Sequence, residues 1–243
     1  MAGEVSCVVL LSGGQDSSTL LGLAKRNFDR VAALSVDYAQ RHKRELHSAR
    51  QISGFYNVPH EVLDISNINS LLQGSALTSE DIDVPFGHYA DETMKITVVP
   101  ARNTILLSIA AGWAISIGYT HVSYAAHLGD FSVYPDCRPV YVQAVQQVFN
   151  VFHYWPIALW APFLDIDKKG ILDIGLKLGV PYELSWTCYV GSDRPCLKCG
   201  SCLERSESFW KSGVKDPLLS DAEWLEVVTR LQGMEEDGLN EKA

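Results

Sequence analysis

The most constraining feature of the chain is a junction near its start. An apolar run over residues 5–11 gives way to Ser12-Gly13-Gly14-Gln15-Asp16-Ser17-Ser18-Thr19, and an amphipathic stretch follows at once. A buried strand that ends on paired glycines and turns directly into a helix is how a β-α-β unit opens, so a parallel sheet is implied from the outset. The glycines let the backbone turn tightly with no Cβ in the way of a ligand, and the free amides at the helix start favour an anion. The loop lacks the lysine of G-x-x-x-x-G-K-[ST] and the spacing of G-x-G-x-x-G. The candidate ligand-binding residues of the junction are Leu10, Leu11, Ser12, Gly13, Gly14 and Gln15, followed by the hydroxyls of Ser17, Ser18 and Thr19. A carboxylate among such groups, Asp16, makes sense as a ligand of Mg²⁺. The plain alternative is a strand-to-helix turn with Ser17 as helix N-cap.

The rest of the chain continues the rhythm. Strands are predicted over 31–36, 58–65, 121–126 and 157–161. Helices are predicted over 17–26, 41–56, 103–117, 139–152, 168–178, 203–211 and 221–232. Alternation of this kind predicts an α/β fold, a doubly wound, Rossmann-like parallel sheet of five strands, with its site at the carboxyl ends of the strands. Residues 66–94 break the pattern, being polar and turn-rich, and read as a lid or mobile loop. The organisation is then one large domain over 1–180, a cysteine-rich helical appendage over 181–232 and a frayed acidic tail over 233–243. The net charge is 20 − 29 = −9. That is a poor fit to stable nucleic-acid binding or to an anionic membrane, since both need a basic face. There is no apolar run of membrane-spanning length and no basic signal-like start, so a cytoplasmic protein is expected.

Four of the six cysteines fall together as Cys188-x7-Cys196-x2-Cys199-x2-Cys202. Four thiolates with no open position suit one structural zinc ion per chain; an iron–sulfur cluster is the rival, and disulfides are the third choice in a reducing compartment. Cys7 lies in an apolar strand and reads as a small core residue. Cys137 lies in a loop after a strand, where a parallel sheet keeps its chemistry, or is an ordinary thiol in a turn.

Ser-Gly-Gly-Gln-Asp-Ser after an N-terminal strand resembles the pyrophosphate loop (PP-loop) of the ATP pyrophosphatase superfamily, whose sheet is of the kind called HUP-like. These enzymes cleave ATP between its α and β phosphates and adenylate an oxygen, which a nitrogen or sulfur nucleophile then displaces. Four further segments follow in order: Tyr38-Ala39-Gln40-Arg41-His42, Pro100-Ala101-Arg102-Asn103, Asp130-Phe131-Ser132-Val133-Tyr134-Pro135-Asp136-Cys137-Arg138, and the run from Thr187 through Pro195-Cys196-Leu197-Lys198-Cys199-Gly200-Ser201-Cys202-Leu203-Glu204-Arg205. Over about residues 8–209 this set resembles the 7-cyano-7-deazaguanine synthase family.

The resemblance implies an ATP-dependent carbon–nitrogen ligase of queuosine and archaeosine precursor synthesis. The carboxylate of 7-carboxy-7-deazaguanine is activated, ammonia gives the amide, and the amide oxygen is activated in turn and lost to leave a nitrile. It implies Asp16, Arg102 and Lys168 as catalytic residues, with Lys168 six residues past Pro162 and offered to a phosphate. It implies the loop and Asp37 at ATP; Asp130, Asp136, Cys137 and Arg138 at the deazapurine; and His42 as a weaker candidate. The partners are ATP with Mg²⁺, ammonium and the deazapurine acid. Three positions depart from the family's usual pattern. Ala39 and Val133 stand where glycine is common, and Gly170 where an acidic residue often follows the lysine. A β-branched residue at 133 is expected to limit the backbone of the acceptor loop. The alternatives are a paralogue adenylating another carboxylate or a tRNA base, and a nucleotide sensor with a zinc clip and no turnover. Trp224, Leu225 and Val228 on the last helix offer either core packing or a homodimer contact.

Overall fold

The computed structural model describes residues 4–41, 43–79, 81–87 and 92–240; His42 lies outside the described residues. Five short strands, β1 (Ser6–Leu10), β2 (Arg30–Asp37), β3 (His60–Asp64), β4 (His121–Ser123) and β5 (Ala158–Trp160), form one sheet. Its order is β3-β2-β1-β4-β5, and every pairing is parallel. The direction of winding reverses between β1 and β4, the switch point at which such sheets open a crevice beyond the strand ends.

Side chains of β1 alternate between two cores, as strand geometry requires. Cys7 and Val9 face α1 (Gln15–Asn27), α2 (Arg44–Phe55) and α5 (Lys168–Leu178) through Leu20, Leu21, Ile52 and Ile171. Val8 faces the other way, onto Leu107, Ala110, Ala111 and Ala114 of α3 (Arg102–Ser116). Helix α4 (Pro139–Val151) covers the same face near β5 and buries only Phe149 fully. Cys7 is a fully buried core thiol, as the sequence predicts.

The first helix starts at Gln15, two residues before the predicted start, so Ser17 is not its cap; Gly14 holds that position. The first glycine of the loop, Gly13, has a packing reason. Its φ is +88°, and a Cβ there would land on the Glu45 carbonyl oxygen, 2.7 Å from the Ala49 amide nitrogen of α2. Gly13→Ala is therefore expected to destabilise the fold by about 1–3 kcal/mol through backbone strain and forced separation of loop and helix. Urea unfolding of the variant checks this, and an unchanged midpoint would refute it.

Beyond α5 the chain makes the cysteine cluster and then α6 (Gly200–Lys211) and α7 (Asp221–Asn240). Helix α7 continues past Gln232 through eight positions that the sequence reads as tail. Trp224 packs inward beside Phe209 and Trp210, so the core-packing alternative describes it, while Leu225 is left exposed. Leu72 and Leu77 are buried with Val99, and Phe86 bridges antiparallel to Cys199. No described helix is long and apolar enough to cross a membrane.

Candidate functional site

A cleft opens beyond the carboxyl ends of β1, β2 and β4. Leu10, Leu11, Ser12, Gly14, Gln15, Asp16 and Ser17 form one wall, and Val36, Tyr38, Tyr124 and Ala126 the floor. At its centre three charged groups from three distant elements meet. Lys168 Nζ, at the first position of α5, donates to Asp16 Oδ2 at 2.5 Å and lies 3.0 Å from Glu204 Oε2 of α6. Asp167 positions the lysine by capping α5, its Oδ1 accepting from the Gly170 amide at 2.8 Å. That contact also explains a glycine at 170, close against Asp167 and Ile166. Burial is the largest single influence on both Asp16 and Lys168 and works against their charge, but their charged partners together outweigh it. Asp16 is held below the usual carboxylate range by Lys168 and then His127, and Lys168 is raised above the usual lysine range by Asp16 and Glu204.

His127 completes the cluster. Its Nδ1 accepts from the Gly129 amide at 3.1 Å, so its ring proton sits on Nε2. That nitrogen faces Asp16 Oδ2 at 3.8 Å and Asp130 Oδ1 at 3.6 Å. The second oxygen of Asp16, Oδ1, is buried with no hydrogen-bond partner. An orphaned buried carboxylate oxygen beside a glycine loop fits a divalent cation.

Arg102 stands across the cleft from this cluster. It hydrogen-bonds Tyr38 and has Tyr134 and Tyr189 as further neighbours. Burial pushes the nearby Glu45 carboxyl up to about 8, so at neutral pH it is mostly protonated and leaves the guanidinium charge for a ligand.

Asp16, Arg102 and Lys168 thus line the cleft, as do Asp130 and Cys137. Several predicted residues do not. The Ser18 hydroxyl donates to Gly14 O at 2.6 Å and the Thr19 hydroxyl to Gln15 O at 2.9 Å, because a helix that begins at Gln15 turns both side chains onto its own backbone. Gly13 packs against α2. The Asp37 carboxylate pairs with Lys43 Nζ at 2.7 Å and accepts from the Ala39 amide at 3.1 Å, leaving its neighbours Val36 and Tyr38 to line the cleft. Asp136 Oδ2 accepts a long 3.4 Å bond from the Asn103 amide, and Arg138 Nε donates to Phe131 O at 2.9 Å, both outside the lining. Cys137 is buried, and burial, with Asp130 and Asp136 nearby, raises its thiol far above the range in which it would be a thiolate nucleophile.

The departures at 39 and 133 have opposite outcomes. Ala39 has φ +63°, the backbone for which glycine is suited, and its Cβ costs about 1–2 kcal/mol there. Val133 has φ −99° and ψ −45°, open to any residue, so it does not distort the 130–138 loop.

Behind the cleft, Cys188, Cys196, Cys199 and Cys202 bring four sulfurs within 4.8 Å of one another. Tetrahedral zinc at about 2.3 Å per ligand sets its sulfurs about 3.8 Å apart, and Cys196 and Cys202 stand 3.9 Å apart. The donor set therefore fits a single metal ion; a cluster of several irons would hold the sulfurs farther apart. Amides stabilise the thiolates: Cys196 N donates to Cys188 Sγ and Cys199 N to Cys196 Sγ, both at 3.3 Å. Leu197, with φ +58°, makes the tight turn between the second and third ligands. Helix α6 springs directly from this knuckle and carries Ser201 and Glu204 to the cleft.

Glu204 and His127 are the members of this charged cluster that sequence reasoning missed. For Glu204 a signal existed, since Ser201 and Glu204 are three apart and share one helix face. His127 has no local signal.

A family model for the queuosine biosynthesis protein QueC matches residues 6–213. A 7-cyano-7-deazaguanine synthase of Archaeoglobus fulgidus is 51% identical over 225 residues, covering 92% of this chain and 94% of its own length. One from Marinobacter nauticus is 51% identical over 213 residues, covering 88% and 96%. Among solved structures, NMN synthetase from Francisella tularensis is similar at 13% identity and a TM-score of 0.48, covering 93% of this chain and 83% of that one.

Proposed function

The chain belongs to the family of the queuosine biosynthesis protein QueC, and from that membership we propose that it converts 7-carboxy-7-deazaguanine and ammonia to 7-cyano-7-deazaguanine at the expense of ATP. The observation that carries the reading is the meeting of Asp16 and Lys168, 152 positions apart, beside the glycine loop at the sheet's switch point.

The chemistry is demanding in a specific way. A carboxylate is a poor electrophile and oxide a hopeless leaving group, so each oxygen must be phosphorylated before it can leave: ammonia displaces the first to give the amide, and the amide's own nitrogen, losing its protons, expels the second to give the nitrile. Binding both reactants in one cleft supplies much of the remaining barrier. We assign the loop amides with Ser12 and Ser17 to the phosphates, and Asp16 Oδ1 to the Mg²⁺ that accompanies ATP and neutralises its charge. Lys168 meets the negative charge that develops as the α–β phosphate bond breaks, held in place by Asp16 and Glu204. Arg102 receives the acid's carboxylate, and Asp130 accepts from the donor edge of the base. The apolar cleft floor suits the nucleoside of ATP.

The cysteine site holds one structural zinc, and a reducing cytoplasm keeps its thiolates free for it. Elemental analysis should find one equivalent of zinc per chain and no iron. Cys199→Ser should lose most of that zinc, and full retention would argue against these ligands. The substrates are small molecules, and an acidic chain is not expected to retain tRNA.

Purified protein given ATP, Mg²⁺, ammonium and the deazapurine acid should yield the nitrile, followed by mass spectrometry together with amide, AMP and pyrophosphate. Nitrile formation with AMP release supports the reading. AMP formation with an unchanged base would overturn the acceptor, and no AMP at all would overturn the ATP chemistry.

A further inference from the structure

Four carboxyl groups line the cleft, from Asp16, Glu45, Asp130 and Glu204, and three of them are committed. Asp16 and Glu204 hold Lys168 between them, and Asp130 accepts from the His127 amide at 3.3 Å. The fourth, Glu45 in the first turn of α2, forms no hydrogen bond and no ion pair among the described residues. Its backbone packs against Gly13, so the side chain starts from the wall that carries the glycine loop. The charge that acts on it most is Arg102, at the start of α3. A carboxyl held in a partly desolvated cleft without a protein partner costs stability, and such groups are kept where a ligand or a reaction uses them.

We propose that Glu45 is the catalytic residue that takes the proton from the reacting nitrogen, once as the amide forms and again as the nitrile forms, an assignment that rests on the function proposed above. Ammonium supplies ammonia by giving a proton to water. Ammonia then adds to the carbonyl carbon of the activated acid: the C–N bond forms, the nitrogen gives one proton to the Glu45 carboxylate, and the C–O bond breaks with its electron pair leaving on the phosphoryl oxygen. The amide nitrogen loses one proton to water when its own oxygen is phosphorylated. It gives the last to Glu45 as the N–H electron pair becomes the third C–N bond and the second C–O bond breaks in the same sense. Water in the open cleft takes each proton from Glu45 before the next step. Position follows from Arg102. That guanidinium is assigned to the acid's carboxylate, whose carbon is the atom attacked, so the carboxyl it acts on lies beside the arriving nitrogen. Other groups lining the cleft are in the wrong state for the task. Lys168 is kept charged by Asp16 and Glu204, and burial raises the Tyr38 phenol and the Cys137 thiol. Burial raises Glu45 too, to about 8, with Arg102 opposing the rise and Cys188 of the cysteine knuckle adding to it; Tyr38 is the other titratable group that acts with it. The result is a stronger base than an ordinary carboxylate, with part of it still ionised at neutral pH.

Kinetics on the zinc-loaded full chain, with the steps separated, test this. Glu45→Gln keeps the shape of the protonated carboxyl and accepts no proton. Conversion of supplied amide to nitrile needs ATP but no ammonium, and it should fall by about 10²-fold or more, the scale of a lost general base. With ATP, Mg²⁺ and the acid but no ammonium, first-turnover pyrophosphate release reports activation alone; it should stay within about tenfold of wild type, because no proton leaves nitrogen in that step. In the wild type, conversion of the amide should rise with pH, since the base acts only when ionised, along a limb that Glu45→Gln lacks. Glu45→Asp should recover part of the rate. Zinc content and the thermal midpoint verify that each variant is folded. A Gln variant within about tenfold of wild type in nitrile formation overturns the proposal. So does a pyrophosphate loss as large as the nitrile loss, which would place Glu45 in the ATP site, or a pH limb that the Gln variant keeps. A wild type that releases pyrophosphate and yields no nitrile overturns instead the acceptor reading on which the assignment rests.

Discussion

Lys168→Met is expected to lower kcat by about 10²–10³-fold while leaving the protein folded, the scale found when a preorganised donor to developing charge is removed. The expectation follows from what surrounds the ammonium. It is 2.5 Å from Asp16 and 3.0 Å from Glu204, so two carboxylates neutralise it in the free protein and hold it at the cleft wall. A negatively charged phosphate entering beside it competes with those carboxylates, and the competition becomes more favourable as charge grows in the transition state. The loss should therefore fall mainly on kcat, with a smaller change in KM for ATP. Removing the ammonium also leaves Asp16 facing Glu204 without a cation between them. The carboxyl of Asp16, now held below its usual range first by Lys168, then rises, and the residual activity of the variant should decline toward acid pH sooner than that of the wild type. Lys168→Arg keeps the charge and should recover part of the rate, though a guanidinium fork does not fit a point-charge position. Steady-state kinetics at saturating and limiting ATP, repeated across pH, read all of this. A Met variant within tenfold of wild type in kcat would remove Lys168 from the reaction.

The parts of this site that were legible in the sequence are the parts made by neighbours in the chain. Ser12-Gly13-Gly14 and the four cysteines lie close enough that spacing alone constrains geometry, and the β-α alternation carries its topology with it. Residues brought together across the sheet were not legible in that way. Nothing near Glu204 announces Lys168, and His127 is one of 7 histidines with no metal-like spacing. Within the loop, a two-residue error in where α1 begins was enough to misplace Ser18 and Thr19, because on a helix the start decides which hydroxyls face out and which bond back to the preceding turn. Asp37 was read correctly as the end of β2, yet a lysine six residues on, Lys43, takes its carboxylate away from the cleft. Ala39 shows the reverse. Its departure from glycine was visible, and the structure gives the physical reason glycine is common there, a left-handed backbone.

The largest expected loss of stability comes from a residue that the sequence did not mark. Asp216→Ala should destabilise the protein by about 3–5 kcal/mol. Arg205, on α6 directly after Glu204, is only 2% exposed, and Asp216 is 1% exposed. The two meet as a fork, Nε to Oδ2 at 2.6 Å and Nη2 to Oδ1 at 2.8 Å. Two further donors are used as well: Nη1 donates to Ser185 Oγ at 2.6 Å and Nη2 to Tyr182 O at 3.1 Å. One guanidinium thus ties α6 both to the segment leading into Cys188 and to the loop after α6. Removing the aspartate strands a buried cation that cannot escape by losing its proton, since arginine stays charged in proteins. It also orphans the Leu218 amide, which donates to Asp216 Oδ1 at 3.0 Å. The cost is one of leaving a charge unpaired, not a measure of what the pair contributes, and this distinction can be tested. Arg205→Met combined with Asp216→Leu should recover much of the loss, because an apolar pair of similar volume removes both charges together. Urea unfolding of the two single variants and the double variant, all with zinc bound, gives the cycle. A cost below about 1 kcal/mol for Asp216→Ala, the scale of a solvent-screened surface pair, would mean that water reaches this guanidinium and that α6 is held by the metal and its apolar contacts instead.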